Sequence, residues 1–191
     1  MILKRFPKRY EDAPECTGDA WWAHYAKAMD TVNQGGIVLL YGGHGTGKTR
    51  MAYEIAKKCT PPRMNYRING VSKTLPAVYS TAVTMFMDIR ASYQPRAEVT
   101  EKQIIEELSG AALLVIDEIQ ERGETDFEDR KLTQIIDARY MDGRPTILIS
   151  NYSRKDFAKT LSPAVLDRIR ENGVGLHFDW PSHRGIKQGS P

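Results

Sequence analysis

The feature that most constrains this fold is a glycine-rich stretch, GGHGTGKT, at residues 42–49. It follows an apolar, partly β-branched run at residues 37–41, which is typical of a strand buried on both faces. A segment with helical spacing begins at Lys48. Because glycines carry no Cβ, they let successive backbone N–H groups converge on one point. The stretch therefore predicts a strand, a tight loop and a helix in direct succession.

The spacing of this stretch fits the phosphate-binding pattern G-x-x-x-x-G-K-[ST], and ATP and Mg²⁺ are the predicted cofactors. In that pattern the lysine, here Lys48, reaches the β- and γ-phosphates, and the hydroxyl of Thr49 holds Mg²⁺. Lys48 is therefore a catalytic as well as a binding candidate. A tight turn that holds no ligand is the alternative. The predicted cofactor-binding residues are Gly42, Gly43, His44, Gly45, Thr46, Gly47, Lys48, Thr49 and Arg50.

Length and composition indicate one soluble globular domain. The chain has 191 residues, of which 41% are hydrophobic and 27% are charged. Its two cysteines, Cys16 and Cys59, are too few for a disulfide framework or a four-ligand zinc site, which favours the reducing cytoplasm. Since no apolar run is long enough to cross a bilayer, we expect no membrane partner. A net charge of +3 permits a nucleic-acid partner without requiring one.

Strand-like and helix-like segments alternate along the chain without an internal repeat, and this alternation favours a parallel α/β sheet. The predicted helices cover residues 20–32, 84–92, 100–108 and 163–172. The first of them places an apolar face toward the core, with Trp21, Tyr25, Ala28, Met29 and Val32. The predicted strands lie near Ile37, Ala77, Leu113, Thr146 and Val174.

Two acids follow another apolar run, AALLVIDEIQ, at residues 111–120. Carboxylates at the end of a buried strand are costly unless a cation or a reaction needs them there. In a nucleotide hydrolase, Asp117 would hold Mg²⁺ through water and Glu118 would act as general base for the attacking water. An acidic strand cap beside a loop is the alternative. The two acids and the glycine loop support each other as parts of one nucleotide site.

Asn151 follows the predicted strand at residues 145–150, at the edge where ligands bind in open parallel sheets. It could orient the attacking water or contact the γ-phosphate, although an asparagine after a strand is commonly a turn former. A last helix begins after Ser162, with Leu166 and Ile169 expected to face inward. Its Arg168 fits an arginine finger for a neighbouring subunit, while a solvated or paired surface arginine is the alternative.

These stretches together resemble the DnaC/DnaI helicase-loader and IstB branch of the AAA+ ATPases. The resemblance covers nearly the whole chain and is carried by FPKRYEDA, YGGHGTGKT, LLVIDEIQ, RKLTQIIDARYMDGRPTILISN, LDRIREN and FDWPSHRG. It implies an α/β P-loop core with a five-stranded, mostly parallel sheet flanked by helices and a reduced or absent lid. It also implies that Asp117 and Glu118 are Walker B, Asn151 is sensor 1 and Arg168 is the finger. Residues 1–18 would border the adenine site, 19–184 would form the core and 185–191 would be a flexible tail.

The resemblance further implies a Mg-dependent ATPase that loads or remodels a hexameric replicative helicase in the cytoplasm. It would self-associate into a spiral oligomer and be stimulated by Arg168 in trans. An IstB-like transposition helper that acts on DNA and a transposase is the alternative, and a small-molecule P-loop kinase is disfavoured because no acceptor pocket is recognisable. FPKRYEDA begins almost at Met1, so the usual helicase-docking domain is not in this sequence. The sequence could be a trimmed part of a longer protein or a naturally short form of the loader.

Single-stranded DNA is the other partner that the resemblance implies. The matching positions are Tyr93, Thr125 and Phe127. Aromatic rings stack on any base and cations follow phosphates, so such binding tolerates any sequence. The alternative is that Phe127 packs in the core and Tyr93 fills a loop. Basic residues nearby in the sequence are Lys73, Arg90 and Arg130, whereas Arg170 and Arg184 have no assigned role.

Overall fold

A computed structural model describes residues 6–10, 18–59, 66–68, 71–73, 77–123 and 125–182. Five strands form one sheet in the order β4-β5-β6-β1-β7, and all four neighbouring pairs are parallel. A separate antiparallel pair joins β2 (Tyr66–Ile68) to β3 (Val71–Lys73). The strands of the large sheet are β1 (Ile37–Gly42), β4 (Val78–Thr81), β5 (Leu114–Asp117), β6 (Thr146–Ser150) and β7 (Gly173–Phe178).

Seven α-helices and two short 3-10 segments lie within the described residues. The predicted α/β fold class is confirmed, and the four predicted helices begin and end within about two residues of the observed ones, as element boundaries allow. The 3-10 segments are Lys8–Tyr10 and Ile119–Glu121. The helices are α1 (Asp19–Asn33), α2 (Lys48–Lys58), α3 (Ala82–Ala91), α4 (Glu101–Gly110), α5 (Asp126–Met141), α6 (Arg154–Lys159) and α7 (Pro163–Asn172).

The parallel register brings the carboxyl ends of the strands to one edge of the sheet. Tyr41 of the central strand β1 is level with Ser150 of β6 on one side and with His177 of β7 on the other. Asp117 at the end of β5 is level with Thr81 of β4. The glycine loop, the two acids and Asn151 therefore leave the sheet at the same edge, where open α/β sheets bind ligands.

The core consists of two apolar clusters, one on each face of the sheet. Neighbouring residues of β6 point to opposite faces, so that Leu148 joins one cluster and Ile147 the other. The first cluster packs α3 to α7 against the sheet, and the second packs α1 and α2. The predicted face of α1 is buried at four positions, whereas Met29 is partly exposed. Each fully buried large apolar side chain contributes about 1.5–3 kcal/mol to folding.

The side chain of Arg139, on α5, is completely buried. Arg139 of α5 donates hydrogen bonds to the Thr146 hydroxyl and to four backbone carbonyls at the amino-terminal end of the strands. These carbonyls belong to Leu108, Ser109, Ala111 and Pro145. Because buried charges are costly unless they are hydrogen-bonded, Arg139 fixes α4, α5 and the start of β6 relative to one another.

The part of the chain after β6 contains α6, α7 and β7, and residues 151–182 form no separate helical lid. In α7 the buried residues are Val165 and Ile169, while Leu166, expected to face inward, is only partly buried. Ile169 is therefore buried as predicted, Leu166 packs at the edge of the core, and Val165 joins them on the apolar stripe. Arg184 and the predicted tail at residues 185–191 lie outside the described residues. In the described part of the chain, none of the helices is both long and apolar enough for a membrane span.

Candidate active site

The glycine loop connects the end of β1 to the start of α2 and requires glycine at specific positions. Gly42, Gly45 and Gly47 have φ values of 130°, 75° and 92°, in the region that side chains rarely adopt. A Cβ at Gly42 would also collide with the carbonyl of Phe178 in β7. The predicted succession of strand, loop and helix is therefore present, and α2 begins at Lys48.

The loop is organised around the ammonium group of Lys48, which is buried. Its Nζ donates to the carbonyl oxygens of Gly42 and Gly43 at 2.8 and 2.6 Å. The hydroxyl of Thr46 donates to the same Gly43 carbonyl at 2.9 Å. These contacts give the loop a defined fold around the Lys48 side chain.

Asp117 links the loop to the acidic end of β5. Its Oδ2 accepts hydrogen bonds from the Thr49 hydroxyl at 2.7 Å and from the Tyr79 hydroxyl at 3.0 Å. Its Oδ1 accepts from the backbone N–H of Glu118 at 2.8 Å. A hydroxyl and a carboxylate side by side are the oxygen ligands that Mg²⁺ prefers, so Thr49 and Asp117 fit the predicted metal site. Burial of the phenol, with a further contribution from the Asp117 carboxylate, raises the pKa of Tyr79 well above its ordinary value.

Glu118 has a backbone conformation that the sequence did not predict. Its φ is 54°, in the left-handed region that is uncommon for residues other than glycine, and its side chain is exposed. Desolvation, with a further contribution from the charge of Asp117, raises the pKa of the Glu118 carboxyl above its ordinary value. Strained backbone and a raised carboxyl pKa are both common at sites of catalysis.

Asn151 is half-buried immediately after β6, at the same edge of the sheet. Its backbone N–H donates to the Oε1 of Gln120, a buried side chain in the short 3-10 segment that follows β5. Gln120 thus ties the end of β6 to the turn that carries Glu118. The structure brings Asn151 to the same edge as Lys48 and Asp117, as predicted from its position after a strand.

The segment before α1 lies beside the loop helix. The ring of Phe6 packs on Tyr79 and on Tyr53 of α2, with centroid distances of 4.6 and 5.5 Å. Arg50 donates to the carbonyl of Tyr10 at 2.7 Å and pairs with Glu54. The Arg50 guanidinium is therefore directed at the amino-terminal segment, and its contact with a nucleotide stays a prediction.

Arg168 is distant from these groups. It lies on α7, whose buried face packs on the side of the sheet opposite α2. Its Nε donates to Oδ1 of Asp137 at 3.2 Å, and its guanidinium lies 4.8 Å from the ring centroid of Tyr140. Asp137 and Tyr140 both belong to α5, which holds the arginine at the protein surface. The finger role in a neighbouring subunit stays a prediction.

The three residues proposed to contact DNA cluster between α3 and α5. The Tyr93 ring is 55% exposed and lies 6.1 Å from the ring of Phe127, which is half-buried against the core. Thr125 is the N-cap of α5 and accepts from the backbone N–H of Glu128. Of the nearby cations, Arg90 forms an ion pair with Glu128, whereas the Lys73 side chain lies outside the description.

Two buried side chains at this site were missed by reasoning from the sequence, Tyr79 and Gln120. Each acts through a partner that is distant along the chain, since 38 residues separate Tyr79 from Asp117 and 31 separate Gln120 from Asn151. Neither residue belongs to a spacing pattern. The only signal was a polar group within or directly after an apolar strand, which burial makes costly unless it is bonded.

Known proteins share this architecture and about a third of the aligned sequence. The profile described as ATPase family associated with various cellular activities (AAA) matches residues 38–172. The replicative helicase loader DnaC of Buchnera aphidicola subsp. Acyrthosiphon pisum (strain APS) is 31% identical over 154 residues, which are 80% of this chain and 58% of that protein. The chain thus spans just over half the length of this curated relative.

Solved structures share the fold at lower identity. A crystal structure of the DnaC helicase loader covers 90% of this chain and 99% of its own, with a TM-score of 0.68 and 19% identity. The structure of the replication initiator DnaA bound to AMPPCP and single-stranded DNA covers 95% of this chain and 52% of its own, with a TM-score of 0.65 and 19% identity. These likenesses confirm the predicted P-loop fold. Because the family profile matches more than half of this chain, the chain belongs to the AAA family of ATPases and is close to the DnaC helicase loaders.

Proposed function

We propose that this chain binds and hydrolyses ATP with Mg²⁺ as the ATPase part of a DnaC-type replicative helicase loader. The observation that carries the proposal is the meeting of Lys48, Thr49 and Asp117 at the carboxyl edge of the sheet. The loop amides and the N-terminus of α2 would bind the phosphates. When bound, Mg²⁺ would supply positive charge that neutralises the phosphates.

The residues around the loop would each have a separate role in binding or hydrolysis. Thr49 and Asp117 are the residues that would hold the metal ion, and Lys48 would contact the terminal phosphates. Glu118 would accept a proton from the attacking water, and a raised carboxyl pKa suits a group that must take up a proton near neutral pH. Asn151 would orient that water. Its place after β6, anchored through Gln120, supports this role.

Arg168 would complete the site of an adjacent subunit. Arg168 lies on α7, whose buried face packs on the face of the sheet opposite α2. This position supports a contribution to the site of a neighbouring subunit. A neighbour would have to displace the contact with Asp137 or accept the guanidinium in its present direction. Hydrolysis would then be slow in an isolated subunit and faster in a spiral oligomer.

The helicase is the proposed partner because the relative from Buchnera is named a replicative helicase loader. A hexameric replicative helicase in the cytoplasm would be the target. Single-stranded DNA is the second proposed ligand, and the exposed Tyr93 ring beside Phe127 supports it, since stacked aromatic rings bind bases of any sequence. DnaA, which shares the fold, has been solved with single-stranded DNA.

A capture experiment tests the loader proposal. The Glu118→Gln variant should bind ATP and retain it, because the binding groups stay and the general base is lost. We expect immobilised E118Q protein, loaded with ATP and Mg²⁺, to retain the replicative helicase of its own genome. The Lys48→Ala variant, which lacks the phosphate-binding cation, should retain much less. Retention of a transposase in place of the helicase would contradict the loader function and favour an IstB-like one.

A further inference from the structure

The segment that follows β7 reaches back to the glycine loop. The indole Nε1–H of Trp180 donates a hydrogen bond of 2.9 Å to the carbonyl oxygen of Thr46, in the middle of the loop. At the start of the loop, Gly42 lies against the carbonyl of Phe178 so closely that only glycine fits. One short segment, residues 178–180, therefore contacts the loop at two points. We call it the β7 extension.

The β7 extension is itself held in place by α1. The Trp180 ring lies 4.7 Å from the ring of Phe178 and 5.3 Å from that of His24. His24 Nε2 donates to the carbonyl of His177 at 2.9 Å. Because the rings of Phe178 and His24 pack against the indole, and His24 is itself bonded to β7, the indole N–H has little freedom to follow the Thr46 carbonyl. The indole therefore restrains the loop more than the loop restrains the indole.

The restraint on Thr46 also determines where the next amide points. A trans peptide unit is planar, and its C=O and N–H point in opposite directions. Because Trp180 holds the Thr46 carbonyl, the N–H of Gly47 must point away from the indole. Gly47 directly precedes Lys48 and has a φ of 92°, which a glycine adopts readily, so the peptide unit before it depends on such a restraint. Phosphate cradles work through amides aimed in this way.

We propose that Trp180 is a positioning residue of the nucleotide site, which aims the Gly47 amide at the bound phosphates through its hydrogen bond to Thr46. This inference rests on the proposed ATP binding and adds a part of the chain to it. The FDWPSHRG stretch, which the glycine and acid motifs do not use, thereby acquires a role at residues 178–180. Trp180 acts through the loop and makes no contact with the nucleotide itself.

The Trp180→Phe variant tests this proposal because it keeps an aromatic ring and removes the N–H donor. We expect the dissociation constant for AMPPCP with Mg²⁺, measured by calorimetry, to rise about three- to tenfold, the effect of one lost hydrogen bond. The matched control is Trp22→Phe. Trp22 is an exposed tryptophan on α1 that contacts only Trp21 and Tyr25 among the described aromatic rings, and its variant should bind like the wild type.

A spectroscopic signal separates positioning from general packing. The chain has three tryptophans, so wild-type protein labelled with ¹⁵N gives three indole N–H signals, and sequence-specific assignment of the wild-type spectrum identifies the one from Trp180. We expect AMPPCP to shift the Trp180 signal and the Gly47 amide signal, and to leave the Trp22 signal in place. This measurement decides the matter if W180F fails to fold.

The outcomes are distinct for the two levels of the proposal. Wild-type protein that binds no AMPPCP would contradict the proposed ATPase function. Wild-type protein that binds, with W180F equally tight or with an unmoved Trp180 signal, would overturn the positioning role and leave the ATPase function intact.

Discussion

The hydroxyl of Thr49 donates to the carboxylate of Asp117 across 2.7 Å, although 68 residues separate the two along the chain. This bond connects the first turn of α2 to the last residue of β5. It exists because parallel strands deliver both residues to one edge of the sheet. The proposed metal-binding pair is thus brought together by the fold itself.

Removing the Tyr79 hydroxyl should weaken the metal site. Tyr79 donates to the same Asp117 oxygen as Thr49, and partners of this kind commonly contribute tenfold or more to metal affinity. We expect Tyr79→Phe to raise the Mg²⁺ concentration at half-maximal ATP hydrolysis about tenfold. The exposed Tyr152 offers the matched control Tyr152→Phe, which should leave the Mg²⁺ requirement unchanged. An unchanged Mg²⁺ requirement in Y79F would show that Asp117 does not need this bond.

Mixing two inactive variants tests the proposed arginine finger. Arg168→Ala should bind ATP normally and lose about a thousandfold in turnover, because the charge on the phosphate is no longer stabilised. Lys48→Ala should fail to bind ATP but still present Arg168 to a neighbour. An equimolar mixture of the two should regain ATP hydrolysis, measured as phosphate release.

The control for this mixture is Arg170→Ala, since Arg170 is exposed on the same helix. It should keep normal turnover. Normal turnover in R168A would remove Arg168 from the site. An inactive R168A that the K48A protein cannot rescue would place its action within its own subunit.

Truncation of Tyr93 should weaken binding to single-stranded DNA without harming the fold. The ring is 55% exposed, and one stacked base is worth about 1–3 kcal/mol. We expect Tyr93→Ala to raise the dissociation constant for a fluorescent oligothymidine at least about fivefold in anisotropy titrations. Tyr152→Ala is the matched control at another exposed tyrosine. Equal losses in the two variants would argue against a specific stacking site at Tyr93.

The buried Arg139 should be worth several kcal/mol of stability. Arg139→Met would leave four carbonyls and the Thr146 hydroxyl without their shared donor, and each unsatisfied buried group costs about 1–3 kcal/mol. We expect a loss of at least about 3 kcal/mol in the free energy of unfolding, measured in urea. Arg154→Met, at an exposed helix position, should change it by less than about 0.5 kcal/mol. A small loss in R139M would mean that water replaces the guanidinium.

The three central strands of the sheet could be predicted because they are continuous apolar runs that are followed by, or end in, glycine, acid or asparagine. Residues 37–41 and 113–116 show this pattern, and the polar residues that follow them have spacings with known chemistry. Local patterns of this kind are sufficient to locate Lys48, Asp117 and Asn151 at one edge. In α7 they identify Ile169 and Leu166 but miss Val165, which is also buried.

What the sequence could not reveal are contacts between distant segments. Tyr79 and Trp180 act on Asp117 and Thr46 through pairings 38 and 134 residues apart, and no periodicity encodes such distances. The left-handed backbone of Glu118 is equally hidden, because the surrounding structure imposes it against local preference. Residue types at known spacings predict the chemical groups of this site, and only the tertiary structure reveals the residues that orient them.

A crystal structure with AMPPCP and Mg²⁺ tests the nucleotide site most directly. We predict the triphosphate inside the loop at residues 42–49, with the metal ion against the Thr49 hydroxyl and close to Asp117. Density for the nucleotide at another place, or a loop that stays closed around the Lys48 ammonium in saturating AMPPCP, would contradict the proposed ATP binding and the chemistry that follows from it.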